Sequence, residues 1–125
     1  MYAENLQIFK DTLILCKKLM GGSKNVPKLI RFGQYEVAIS KACQALDLIR
    51  RINSSFEYRE YYLNEFIMLI ADVSARIMLF DDAKFIGNKF ATELNNQLKE
   101  ISAMAYGWLN SERKRKGESY RATAR

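Results

Sequence analysis

The sequence has no histidine, only two cysteines and a single proline in 125 residues. Histidine is the side chain that most often acts as a general base near neutral pH, and two thiols alone do not complete a zinc site. Cys16 and Cys43 cannot build a disulfide framework either, and both fall within helical apolar patterns. We therefore expect buried, reduced thiols, a cytoplasmic protein, and no metal ion or other cofactor.

Signals for membranes and for catalysis are also missing. No apolar run approaches the roughly 20 residues that a membrane span needs, and residues 1–5 lack the basic and apolar start of a signal peptide. The chain has no glycine-rich phosphate-binding loop. Asp81 and Asp82 are adjacent carboxylates, but neighbouring helical residues point about 100° apart, so we interpret them as surface acids. We expect no membrane contact, no small-molecule substrate and no catalytic residue, and so a protein that is not an enzyme.

The residues that are present repeat with the period of an α-helix. Hydrophobic residues make up 49% of the chain, and six glycines and one proline leave long segments uninterrupted. The spacing predicts four helices, over residues 2–20, 27–53, 56–85 and 88–113. Breaks are expected at Gly21 and Gly22, near Ser54 and at Gly87, with the third helix continuing through Lys84. An irregular stretch is predicted at 29–33.

Each predicted helix has one apolar face, which we expect to point toward a common core. The first helix is expected to bury Tyr2, Leu6, Phe9, Leu13, Cys16 and Met20. The second is expected to bury Tyr35, Ala38, Ala42, Ala45, Leu46 and Ile49. The third and fourth are expected to bury Leu63, Phe66, Ile70, Val73, Ile77 and Phe80, and Phe90, Leu94, Leu98, Ile101, Ala105 and Trp108.

Four such helices with short connections predict an all-α fold, an antiparallel up-down-up-down four-helix bundle over residues 1–116. Residues 117–125 have no apolar period and are predicted to form a basic, flexible C-terminal tail. The third helix is apolar beyond its main stripe, at Ile67, Met68 and Met78. It therefore lies centrally in the bundle or is buried against another subunit, and we expect a homo-oligomer.

The chain is basic, with a formal net charge of +6, and the excess is concentrated near the C-terminus. Residues 109–125 carry six basic and two acidic side chains, whereas residues 1–108 carry fourteen and twelve. A basic surface favours a polyanionic partner such as nucleic acid or an acidic membrane face. The alternative is a solvated surface with no such partner.

Three groups of cations lie near predicted helix ends. Lys17 and Lys18 are near the end of the first helix, Arg50 and Arg51 near the end of the second, and residues 113–116 follow the fourth. An up-down bundle brings Arg50, Arg51 and residues 113–116 to one pole, where six positive charges would converge. Such cations hold phosphates without reading sequence, although those at helix C-termini also pair favourably with the helix dipole.

Aromatic residues accompany a cation at the start of the third helix. Tyr58, Tyr61 and Tyr62 surround Arg59 in the sequence, where they could stack on single-stranded bases. Packing or a subunit contact is the alternative, and the one we favour. Trp108 falls on the apolar stripe of the fourth helix and is interpreted as a core residue.

Two short motifs carry a family resemblance. Val26-Pro27-Lys28 and Arg31-Phe32-Gly33-Gln34 open the second helix, and Ala105-Tyr106-Gly107-Trp108-Leu109 comes late in the fourth, before the basic run. Over residues 2–116, this order resembles the accessory variability determinant (Avd) family of diversity-generating retroelements. Four-helix proteins encoded in intervening sequences of bacterial large-subunit ribosomal RNA genes are the other branch that the pattern fits.

The resemblance implies a homopentameric barrel of four-helix bundles that performs no chemistry itself. The partners of the protein would be a reverse transcriptase and the template RNA of that enzyme, with DNA as a further polyanion. The process they serve would be the mutagenic reverse transcription that diversifies a target gene. The other branch implies a scaffold for protein–protein or RNA interaction. The resemblance also implies a basic surface that contacts nucleic acid or the reverse transcriptase. On this sequence we assign that surface to Lys17, Lys18, Arg50, Arg51, Arg76, Arg113, Lys114, Arg115 and Lys116.

Overall fold

Four long helices account for most of the chain. The computed structural model describes the backbone of residues 1–124 and the side chains of residues 1–118. The helices are α1, Gln7–Gly22; α2, Glu36–Ser54; α3, Arg59–Asp82; and α4, Asn88–Ala124. Short 3-10 turns, Ala3–Asn5 and Ser23–Asn25, flank α1. A helical turn, Lys28–Ile30, and a π-helical segment, Arg31–Tyr35, lead into α2.

The helices pack antiparallel around one core. Helices α2 and α4 each contact both α1 and α3, which gives a four-sided bundle with up-down-up-down order. Over residues 1–124 the backbone forms no strand. The predicted all-α four-helix bundle is therefore confirmed.

The inward faces of α2, α3 and α4 largely match the prediction. All six predicted residues of α3 are buried, from Leu63 to Phe80. Small residues of α2 are buried where a neighbouring helix approaches closely, at Ala38, Ala42 and Ala45. In α4 the middle of the predicted stripe is buried, whereas Phe90 and Trp108 at its two ends are half-buried and pack against the core.

The inward face of α1 is not the predicted one. Of the six predicted residues only Cys16 is buried, while Tyr2 and Met20 are 79% and 50% exposed. The other buried residues of the helix are Ile8, Thr12, Leu15 and Leu19. The segment has apolar residues on adjacent faces, and periodicity alone does not choose between them. Thr12 can be buried because its hydroxyl donates a hydrogen bond to the Ile8 carbonyl at 2.7 Å.

The two glycines near the end of α1 do not act as a left-handed stop. Both belong to the helix, Gly22 has φ −83° and ψ −10°, and no glycine in the described backbone has a positive φ. A Cβ added at Gly22 would lie 2.5 Å from Cζ of Phe90, whereas one added at Gly21 would meet no atom within 4 Å. A side chain at Gly22 would therefore require the Phe90 ring to shift where α1 approaches α4.

The entry to α2 is irregular, as predicted for residues 29–33. Gly33 has φ −116° and ψ −114°, which interrupts the helical backbone. Two residues later, Tyr35 is fully buried, its hydroxyl donates a hydrogen bond to the Leu19 carbonyl, and its ring centroid lies 5.6 Å from that of Phe80. Tyr35 therefore ties the start of α2 to α1 and α3.

Helix α3 ends at Asp82, so the prediction that it continues through Lys84 is wrong. Lys84 has φ 61°, and its N–H donates to the Asp81 carbonyl at 3.1 Å. The N–H of Phe85 donates to the Phe80 carbonyl at 2.8 Å. These are the two hydrogen bonds of a Schellman motif, which ends a helix at a left-handed residue. Helix α4 then begins at Asn88, as predicted.

Helix α4 continues to Ala124, whereas the sequence predicts an end near Arg113. Residues beyond Lys116 are polar and have no apolar period, so the pattern gave no sign of a helix there. The side chains of residues 119–125 lie outside the described part of the chain. The division into a bundle domain of residues 1–116 and a flexible tail of 117–125 stays a prediction.

Candidate nucleic-acid interface

The predicted cations lie mainly at the two opposite ends of the bundle. The arginine end comprises Arg50, Arg51, Arg59 and residues 113–116, where α2 ends, α3 begins and α4 passes. The lysine end lies where α1 and α3 end and α4 begins, and comprises Lys17, Lys18, Lys24, Lys28, Lys84 and Lys89. The two ends differ in how their cations are paired.

At the arginine end, carboxylates hold most of the run 113–116. Arg113 Nε donates to Oε1 of Glu60 on α3 at 2.8 Å, and Lys116 Nζ lies 3.8 Å from Oε2 of the same carboxylate. Arg115 pairs with Glu112 on its own helix. Lys114 is the member of the run that forms no ion pair with a described side chain. The run therefore presents less free positive charge than its sequence suggests.

Glu112 is the one charged residue that is buried among residues 1–118, with 3% of its surface exposed. Arg115 Nη2 donates to its Oε1 at 2.5 Å, and Arg59 Nη1 lies 3.7 Å from its Oε2. The hydrogen bond from Arg115 lowers the pKa of Glu112 below its ordinary value, although burial acts in the opposite direction. Glu112 is therefore held as a carboxylate between two guanidinium groups.

Arg59 joins three helices at the arginine end. Its Nε donates to the Ile52 carbonyl at 2.7 Å and its Nη2 to the Asn53 carbonyl at 3.0 Å, so it caps the end of α2. Its guanidinium also lies over the ring of Phe56, 4.6 Å from the centroid, and pairs with Glu112 of α4. In the sequence Arg59 stood out only as a cation beside tyrosines. Its capping role was missed, because a contact between residues six or seven apart leaves no periodic signal in the sequence.

Arg50, Arg51 and Arg76 do not join one surface. Arg50 Nε lies 3.7 Å from a carboxylate oxygen of Glu4, and both side chains are exposed. Arg51 lines a groove between α2 and α3, on a different side of α2. Arg76 Nε donates to Gln34 Oε1 at 3.2 Å, and its Nη1 donates to the Asp72 carbonyl. The six charges that were predicted to converge therefore lie at the same end of the bundle but do not form one surface, and most of them are paired with carboxylates.

At the lysine end the cations are free. None of its six lysines forms an ion pair with any described side chain. Five of them are exposed and Lys18 is half-buried. Lys17 and Lys18 were predicted as site residues. Lys24, Lys28, Lys84 and Lys89 were missed, because they stand singly in the sequence and only the fold gathers them.

An open cleft of about 1270 Å³ lies at the lysine end, between the end of α1 and the start of α4. Its lining includes three lysines, Lys18, Lys84 and Lys89, and three carboxylates, Asp81, Asp82 and Glu93. The cleft itself is therefore close to neutral. The positive excess of this end comes from Lys17, Lys24 and Lys28, which lie outside the cleft lining.

The aromatic residues at the start of α3 pack on one another. The ring centroid of Tyr62 lies 6.5 Å from that of Tyr58 and 5.6 Å from that of Tyr61, both edge to face. Tyr58 and Tyr61 remain 55% and 60% exposed, so packing uses only part of their surface. Trp108 is half-buried against the core, with the Arg59 guanidinium 5.7 Å from its ring centroid.

Two features of the sequence that bear on chemistry are the cysteine thiols and the adjacent carboxylates of Asp81 and Asp82. Burial raises the pKa of the Cys16 thiol to about 12, with a further contribution from the neighbouring Cys43 thiol, so a reactive thiolate is disfavoured at neutral pH. Asp82 is exposed and Asp81 half-buried at the cleft. Among the described residues no three metal-ligating side chains lie close enough to hold an ion together.

Along the described chain, no helix combines the length and the apolar character needed to cross a membrane. Comparison with models of known protein families gives no match, and neither does comparison with curated proteins. What the fold and the site define is a class: a small all-α protein of four antiparallel helices with basic residues at both ends.

Proposed function

We propose that this chain is a non-catalytic accessory protein of a diversity-generating retroelement, which binds nucleic acid and the reverse transcriptase. The observation that carries the proposal is the lysine end, where six lysines stand without ion-pair partners among the described side chains. Unpaired, solvated lysines attract phosphates and release counterions on binding, and they need no particular base sequence.

The resemblance to the Avd family supports the choice of partner. Its first motif leads into α2 at the lysine end, and its second lies in α4, where Ala105 and Leu109 are buried and Trp108 is half-buried. Both motifs therefore contribute to the structure of the bundle. The function of the family is proposed for this chain because the motifs resemble those of the family. Template RNA is the proposed polyanion, with DNA as a second one.

Binding to RNA and to DNA at several salt concentrations tests the proposal. We expect affinity to fall steeply with salt, and the variant K17A/K18A to reduce the logarithmic salt dependence by about 1.4, or about 0.7 for each lost phosphate contact on a single strand. The matched control is K10A/K99A, which removes two exposed lysines from elsewhere on the bundle. Affinity that does not change with salt, or an equal loss in the control, contradicts the proposal.

A homo-oligomer, and a pentamer in particular, is part of the same proposal. Large apolar side chains are exposed on α3, among them Met68, Met78 and Leu79, at 67%, 63% and 52%. Exposed apolar side chains favour contact with another protein when they form a continuous surface. The native mass, measured by light scattering or native mass spectrometry, tests this part, and a monomer at every concentration would contradict it.

A second candidate function is a protein–protein or RNA-binding scaffold of the ribosomal intervening-sequence type. The observation that favours it is the pairing of Arg113, Arg115 and Lys116 with Glu60 and Glu112, which leaves most of this run in a structural role. In that case, alanine at Arg113 and Lys116 leaves every binding activity intact. Co-purification with a reverse transcriptase separates the two candidates, since only the first requires it.

A further inference from the structure

We propose that Phe32 is a base-stacking residue and that the lysine end therefore binds single-stranded nucleic acid in preference to a duplex. This inference rests on the proposed function and names the ligand class of its binding surface. The observation behind it is an exposed aromatic ring, next to a kink in the backbone, in the short segment that also carries Lys24 and Lys28, neither of which has an ion-pair partner among the described side chains.

The kink separates two aromatic residues that a regular helix would keep together. Residues three apart lie about 60° apart around a regular helix, so Phe32 and Tyr35 would occupy neighbouring positions of one face. The backbone at Gly33 is not helical, and on its two sides Tyr35 is fully buried while Phe32 is 66% exposed. The kink thus lies between a buried aromatic residue and an exposed one.

The segment that displays Phe32 is fastened on both sides. Arg31 Nη2 donates to the carbonyls of Lys24 and Val26, at 2.8 and 3.0 Å, which closes the connection from α1. Val26 is 2% exposed, so the connection is also anchored in the core, and Tyr35 holds the other side. A ring presented from a fixed backbone loses little conformational entropy when a ligand stacks on it.

The surroundings of Phe32 favour a nucleic acid with accessible bases. Lys28 lies one helical turn before it, and Arg31, its neighbour in the chain, donates the hydrogen bond that ties the Lys24 carbonyl to the same turn. Neither lysine has an ion-pair partner among the described side chains. Proteins that bind single strands without sequence preference combine such cations with aromatic rings on which bases stack. A duplex hides its base faces and would use the lysines only.

Three substitutions at Phe32 test stacking, with a single-stranded RNA and a duplex RNA of equal length as probes. We expect F32A and F32L each to weaken single-strand binding by about five- to a hundredfold, and F32Y to stay within about twofold of the native protein. Duplex binding should change little in all three. Phe32 is exposed, so thermal unfolding should show that all variants remain folded.

The control is Y106L, at an exposed aromatic residue in the middle of α4, outside the two groups of basic residues. If F32L binds the single strand as the native protein does, or if duplex binding falls equally, stacking at Phe32 is overturned. Loss of self-association in F32A but not in F32L would likewise overturn it and assign the residue to a protein contact. If the native protein binds neither the single-stranded nor the duplex RNA, the proposed function itself fails. If the native protein binds RNA and F32L binds it equally well, only the stacking role of Phe32 fails.

Discussion

Arg113 on α4 donates a hydrogen bond to the Glu60 carboxylate on α3 at 2.8 Å, and the same carboxylate lies within ion-pair distance of Lys116. The most basic run of the sequence is therefore partly neutralised within the fold. Exposed ion pairs of this kind stabilise a protein by about 0–1 kcal/mol, so their main effect is on the charge that a partner meets. The free lysines at the opposite end become the stronger electrostatic feature.

The first prediction concerns release of the basic run. The substitution E60Q should leave Arg113 and Lys116 unpaired, with a change of at most about 1 kcal/mol in the free energy of unfolding. We expect tighter RNA binding, with a steeper salt dependence, measured by fluorescence anisotropy. The control is E57Q, which removes an equal charge from an exposed glutamate that has no ion pair with described side chains. Equal effects of the two substitutions would show that only net charge matters.

The second prediction concerns the contact between α1 and α4. The substitution G22A places a Cβ about 2.5 Å from the Phe90 ring and 3.2 Å from the Tyr35 hydroxyl, so the ring must shift. We expect a loss of about 1–3 kcal/mol in the free energy of unfolding, measured with urea. G21A is the matched control, because its Cβ meets no neighbour and alanine favours a helix by about 1 kcal/mol. A G22A protein as stable as G21A would contradict the close approach.

Periodicity sufficed for the fold because in α2, α3 and α4 the predicted stripe is the face that packs against the core. In α3 each predicted core position, from Leu63 to Phe80, is buried. In α1 apolar residues lie on adjacent faces, and the buried face includes Thr12, a polar residue whose hydroxyl is satisfied by the Ile8 carbonyl. The polar end of α4 has no stripe at all, so its helix was missed.

The candidate site was less accessible to sequence reasoning than the fold. Runs of cations such as Lys17-Lys18 and residues 113–116 are visible in the sequence, but their partners are not. Glu60 is more than fifty residues from Arg113, and only the antiparallel packing of α3 and α4 brings them together. The lysine end shows the converse case, since Lys28 and Lys89 are isolated in the sequence and gathered by the fold.

The third prediction concerns the end of α3. Lys84 has a positive φ, a conformation that costs a residue with a Cβ about 1–2 kcal/mol relative to glycine. The substitution K84G should therefore stabilise the protein by about 1 kcal/mol in urea unfolding. At Ala83 the backbone is right-handed, with φ −80°, so A83G should destabilise it instead. Equal effects at the two positions would contradict the Schellman geometry.

The last prediction concerns the buried carboxylate of Glu112. The substitution E112Q removes the charge that Arg59 and Arg115 share, and we expect a loss of about 2–4 kcal/mol in the free energy of unfolding at pH 7. E118Q, at an exposed position, should change stability by less than about 0.5 kcal/mol and is the control.

The effect of E112Q must also depend on pH, with a defined sign. The pKa of Glu112 is lower in the folded protein than the ordinary value of 4.5, so the unfolded chain binds its proton first as the pH falls. The stability that the carboxylate contributes is fully present above pH 4.5 and is lost as the pH falls through the lowered pKa. The native protein and E112Q should therefore differ most at neutral pH and converge in acid. Urea unfolding curves at several pH values measure this difference, and one that stays constant down to the lowest pH would show that Glu112 acts through packing and not through its charge.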